Sequence, residues 1–172
     1  TDEQEAQLER EFGRAYHIIT REERLETIAR DLVDHYLSRE PFANGLRGKA
    51  MMVAIDKATA IRMYNYVQAE WKIRLDSLQA KLKVAIGIRA EQLQEQIAFM
   101  QTTDMAVIVS GGQGEIERMA KKGLDIRPHR DRMVKEKLDE KFKDAEDPLR
   151  IVFVCAMWLT GFDAPSVSTL YL

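Results

Sequence analysis

One cysteine in 172 residues excludes an intrachain disulfide. Its setting, Ile151-Val152-Phe153-Val154-Cys155, predicts a thiol buried in an apolar run rather than a nucleophile, in reducing surroundings. No apolar run approaches the roughly 20 residues that a transmembrane helix needs. The opening Thr1-Asp2-Glu3-Gln4-Glu5 has neither a basic nor an apolar leader character, so the expectation is a cytoplasmic protein with no membrane role. The three histidines, His17, His35 and His129, lie far apart without metal-ligand spacing, so no metal site is expected. No Ser-His-Asp set or pair of catalytic carboxylates can be assembled, and no Gly-Lys-Ser/Thr string completes a phosphate loop. No catalytic residue is therefore assigned.

What is present is a globular balance, with 45% hydrophobic and 31% charged residues. The net charge of -2 does not advertise nucleic acid, but its distribution is uneven. Thr1 to Glu40 holds eleven acidic and six basic residues, whereas Pro41 to Arg89 holds three and nine. The basic stretch fits a solvated face or one that meets phosphates.

Hydrophobic spacing divides the chain into helices and strands. Residues 1–44 read as a helical segment, with a first helix through Phe12 and a second starting at Thr20, where Thr20 and Glu23 fit a capping box. Leu25, Ile28, Ala29, Leu32, Val33, Tyr36 and Leu37 then recur on one helix face. Pro41 to Gly48 punctuates the chain, and residues 45–172 read as an α/β domain. Ala50–Ile55 is a continuous apolar run, as expected of a central strand in a parallel sheet. From about 59 to 102 the pattern is helical, with Ile61, Tyr64, Trp71, Leu75, Leu78 and Leu82, then Leu93, Ile97 and Met100. This predicts an inserted hairpin of helices packed beside the sheet. Met105–Val109 predicts a second strand, followed by a glycine loop and a short helix stopped by Gly123. Asp131–Phe142 predicts one amphipathic helix, Leu149–Cys155 a third strand and Val167–Leu172 a fourth. Strands alternating with helices imply a parallel sheet with helices on both faces.

Open parallel sheets bind ligands beyond the carboxyl ends of their strands. Three connections qualify: Asp56-Lys57-Ala58-Thr59, Ser110-Gly111-Gly112-Gln113-Gly114, and Ala156 to Pro165. The glycine loop offers backbone amides to an anion, but Glu117 stands where a dinucleotide fingerprint wants glycine, so a plain crossover turn is the better fit. In the third connection Gly161 permits close approach of a ligand, Thr160 offers a donor to phosphate, and Asp163 offers an acceptor to a sugar hydroxyl. Packing of Trp158 and Phe162 against the sheet edge is the alternative. Asp125, His129, Arg130 and Arg132 form a charged connection that suits either solvent or phosphates.

The string Lys141-Phe142-Lys143-Asp144-Ala145-Glu146-Asp147-Pro148-Leu149-Arg150-Ile151-Val152-Phe153-Val154-Cys155-Ala156-Met157-Trp158-Leu159-Thr160-Gly161-Phe162-Asp163-Ala164-Pro165 resembles the R subunit of type I restriction enzymes around helicase motif V. Gly48 to Lys57 resembles motif IV of the same superfamily 2 motor, and Leu124 to Met133 shares the family's character. The resemblance implies a RecA-like fold, the second of two such halves. It implies a parent subunit that is an ATP-dependent type I site-specific deoxyribonuclease and pumps double-stranded DNA, using ATP and Mg. The implied partners are the methyltransferase and specificity subunits and the first RecA-like domain of the same chain. It places Thr160, Lys57, Ser110 and Gly111 against DNA, and Gly161 and Asp163 on the ATP side. An aspartate-lysine pair stands at 56–57 where relatives often carry serine-arginine. The metal-binding box, the nuclease carboxylates and motif VI are all missing, so the isolated fragment is expected to be inactive. The competing readings are the same half of another superfamily 2 helicase or remodeller, and a noncatalytic α/β interaction domain.

Overall fold

A computed structural model of the chain describes residues 1–39, 48–155 and 167–171. The strands are β1 (Lys49–Ala54), β2 (Asp104–Ile108), β3 (Leu149–Cys155) and β4 (Val167–Tyr171), and they form one parallel sheet in the order β2-β3-β1-β4. The predicted central strand is indeed interior: β1 pairs with β3 from Ala50↔Ile151 to Ala54↔Cys155 and with β4 on its other side. All six of its residues are buried, and from Ala50 onward they read as an apolar run.

Alternation along the strands divides the core between two faces. Ala50, Met52, Ala54, Met105, Val107, Ile151 and Phe153 face one layer, which contains α3 (Glu22–Ser38), α4 (Lys57–Leu82) and α5 (Gly87–Thr102). Met51, Val53, Ala106, Ile108, Val152 and Val154 face the other, where Leu138 and Phe142 of α8 (Leu138–Lys143) pack. The predicted helical hairpin is α4 and α5, and it lies beside the sheet. Trp71 clamps it, its indole Nε1–H donating to the Met100 carbonyl at 3.0 Å. Tyr36 of α3 joins the same cluster, its ring centroid 6.2 Å from Trp71 and 6.3 Å from Phe99. Its hydroxyl donates to the Gly48 carbonyl at 2.9 Å and so docks α3 on the entry to β1.

Two expectations about helices need correction. The box at Thr20 and Glu23 does not form: Thr20 instead ends a separate helix, α2 (Gly13–Ile19), and its hydroxyl donates back to the Tyr16 carbonyl at 2.8 Å. The single helix expected over Asp131–Phe142 is two, α7 (Arg127–Lys135) and α8, broken where Glu136 is extended. The break is held by Arg132, which donates to both Glu136 (2.7 Å) and Asp104 (2.7 Å), and by Lys141, which donates to Glu136 at 2.7 Å. By contrast, α6 (Glu115–Lys121) stops at Gly123 as expected, with φ of 75° and a bond from Leu124 N–H to the Met119 carbonyl at 2.9 Å. Among the described residues no helix is long and apolar enough to cross a membrane.

Candidate functional site

The strand order marks where a ligand would lie. β1 hands the chain on to β2 and β3 hands it on to β4, so these two neighbouring strands are followed in sequence by strands at opposite edges of the sheet. A crevice at the carboxyl ends of such a pair is the usual ligand position in this class of sheet.

At the end of β1, Asp56 is only 2% exposed and caps α4, its Oδ1 accepting from Thr59 N–H at 2.7 Å. Its other oxygen accepts from the Tyr16 hydroxyl. Burial, then the Asp56 carboxylate, push the Tyr16 hydroxyl well above its ordinary pKa. Asp56 is thus committed to local structure. Lys57 follows as the first residue of α4 and is 1% exposed. Its ammonium pairs with Asp2 of α1 (Asp2–Glu11), and its backbone N–H donates to Glu5 Oε1 at 3.2 Å.

The glycine loop after β2 is held from below. Arg130 donates to the carbonyls of Val109 (3.2 Å) and Ser110 (3.0 Å) and forks onto Glu115 at 2.7 and 2.9 Å. Ser110 and Gly111 themselves are exposed. The first turn of α6 presents Glu115 and Glu117, and the helix has only seven residues, so it offers no anion site of its own. The structure does bring Lys57 and this loop together, through Asp2. The Asp2 carboxylate also pairs with Arg118 of α6, and it lies where a side chain on Gly112 would have to go.

Arg118 escapes a reading by motif, because nothing in its local sequence marks it; only the fold sets it beside Lys57. Arg132, by contrast, is spent on Asp104, Glu136 and the Met105 carbonyl. Cys155, at the end of β3, has its thiol pushed up to about 12, chiefly by burial and then by the Glu5 carboxylate, consistent with an unreactive group. His129 is buried edge-on to Tyr64 at 4.7 Å, and burial lowers its pKa. Among the described residues no three His, Cys, Asp or Glu side chains converge to hold a metal. Thr160, Gly161 and Asp163 lie outside the described residues.

Beside these loops a cleft of about 1080 Å³ opens between α1, α2 and α4, with Arg10, Tyr16, Arg62, Tyr66 and Lys122 among its walls. A smaller one of about 460 Å³ lies at the ends of β2 and β3, between Ser110, Arg130, Leu138 and Cys155.

Comparison with known proteins agrees with the motif-level resemblance. The chain is 27% identical over 161 residues to the MjaIXP endonuclease subunit of a type I restriction enzyme from Methanocaldococcus jannaschii, covering 93% of this chain. It is 29% identical over 154 residues to the HindI endonuclease subunit from Haemophilus influenzae, covering 88% of this chain. It spans 12% of the length of each relative. No solved structure gives a significant match. The family model described as type I restriction enzyme subunit R domain 3 matches residues 46–172, and the chain belongs to that family.

Proposed function

We propose that this chain is a RecA-like half of the motor with which a type I restriction enzyme R subunit translocates double-stranded DNA at the expense of ATP. The other half of the motor, the nuclease and the specificity and methyltransferase subunits would complete the enzyme. In this reading Lys57, Ser110 and Gly111 line the path of one DNA strand and Thr160 adds a phosphate contact, while Gly161 and Asp163 face the nucleotide.

The observation that carries the reading is that Lys57, Arg118 and Gly112 of the glycine loop all meet at Asp2, at the carboxyl edge of a parallel sheet, with Ser110 and Gly111 exposed. Lysine and arginine supply charge to phosphate oxygens, and a bare backbone turn allows a sugar-phosphate strand to approach closely. ATP supplies the energy for cleft closure, and the role of this chain is to grip and release the strand as the cleft moves.

The reading is tested with the complete R subunit and a target-free DNA duplex. Replacing Lys57→Gln should weaken binding and flatten the plot of log affinity against log salt by roughly one unit, as one phosphate contact is lost. The urea midpoint reports whether the fold survives. An unchanged affinity and slope in a folded variant would remove Lys57 from the DNA path.

A further inference from the structure

Helix α1 contributes no buried residue to the core. Beyond its chain link to α2, its described bonds to the rest of the fold run through three carboxylates. Asp2 bridges Lys57 and Arg118, Glu5 accepts from the Lys57 N–H at 3.2 Å, and Glu9 pairs with Lys122 at 3.0 Å. Asp2, Glu5 and Glu9 stand at i, i+3 and i+7, so they share one face and project negative charge along roughly 10 Å of helix. The cations come from three places far apart in sequence: the start of α4, the middle of α6 and its C-terminal cap. They meet only because the fold sets the ends of β1 and β2 near each other.

We propose that α1 is a displaceable strap that occupies a nucleic-acid backbone site formed by Lys57, Arg118 and Lys122, its carboxylates standing where phosphates of a DNA strand bind. This rests on the reading that this edge of the sheet meets DNA, and it adds Arg118, Lys122 and the occupant. Lys57 is 1% exposed, with Asp2 on its ammonium, so a phosphate reaches it only when α1 moves aside. The helix is suited to leave. Its ion pairs with Arg118 and Lys122 are part-exposed, with side-chain exposures of 22–43%, and pairs of that kind hold weakly and exchange readily for a polyanion. Its apolar hold is slight, since none of its residues is buried and Leu8 is only half-buried, and the open cleft lined by Ala6, Glu9 and Arg10 lies along one side. Phosphate oxygens would restore the charge-assisted bonds that the carboxylates give up.

The test uses the complete R subunit and the same target-free duplex. Hydrogen exchange should show the amides of α1 losing protection when DNA binds, with α4 and α5 unchanged. The Asp2→Asn, Glu5→Gln, Glu9→Gln triple variant should bind duplex roughly fivefold or more tightly, and adding Arg118→Gln should cancel the gain. Protection of α1 that holds or rises with DNA would overturn the proposal. So would wild-type affinity in the triple variant, or a gain that survives Arg118→Gln. A Lys57→Gln variant that loses DNA affinity while α1 stays protected would sink the strap alone and leave the DNA path standing. If Lys57→Gln has no effect, the underlying reading fails first.

Discussion

Glu136 holds two cations at once, and it shows how single residues lock this fold. Arg132 and Lys141 both donate to its carboxylate, and those bonds, Arg132 first, pull its pKa down to about 2 from an ordinary 4.5. A carboxyl depressed on folding adds stability that is full above pH 4.5 and is lost as pH falls toward 2. The urea midpoint should therefore drop less between pH 5 and pH 3 in Glu136→Gln than in the unaltered chain; equal drops would show that the pairs contribute nothing. Glu5, whose carboxyl burial pushes up, acts in the opposite sense in both proteins and cancels from the comparison. Roles of this kind are poorly legible in sequence. The motif resemblance singled out Lys57, but its partner Asp2 lies 55 residues away and Arg118 sits in an unremarkable helix. Which charges meet is decided by tertiary geometry, and local pattern does not carry it.

At the scale of elements, the hairpin of α4 and α5 depends on a small number of fixings at its base. Trp71 reaches the Met100 carbonyl, one of the carbonyls near the end of α5 that lack a partner within the helix. Arg150 at the start of β3 donates to Thr103 at 2.8 Å and lies 4.5 Å from the Phe99 ring centroid. Replacing Trp71→Phe keeps most of the apolar contact and removes the donor, and it should cost roughly 1–3 kcal/mol in urea unfolding. A loss well under that range would mean the hairpin is held by apolar packing alone. Elements with regular apolar spacing, such as α3 with Leu25, Ala29, Leu32, Val33 and Tyr36 inside, were legible because burial imposes the period. The break between α7 and α8 was not, because its cause, Arg132 reaching across to Asp104 on β2, is a long-range contact. The short α2 was hidden for a related reason: Thr20 has the chemistry of a start signal but uses its hydroxyl to close the preceding turn.

For the whole molecule, the strands could be read from their apolar runs, and their parallel character from the helices between them. The order β2-β3-β1-β4 could not, since which strands pair is decided by contacts between residues far apart in the chain. That order brings Lys57, Arg118 and the glycine loop to one edge of the sheet. Family membership rests on the matched residues 46–172, whereas the motor role is an inference drawn from that edge together with the string Thr160-Gly161-Phe162-Asp163. The chain spans 12% of the length of its relatives, so the role is best tested in the assembled enzyme. The most direct measurement is DNA-stimulated ATP hydrolysis by the complete subunit with its partners, comparing the unaltered protein with Thr160→Ala and Asp163→Ala while assembly is monitored. If the Thr160–Asp163 string couples nucleotide to DNA, each variant loses DNA-stimulated turnover at least roughly tenfold, about 1.4 kcal/mol of coupling, with assembly intact. Turnover at the unaltered rate in both would contradict that coupling.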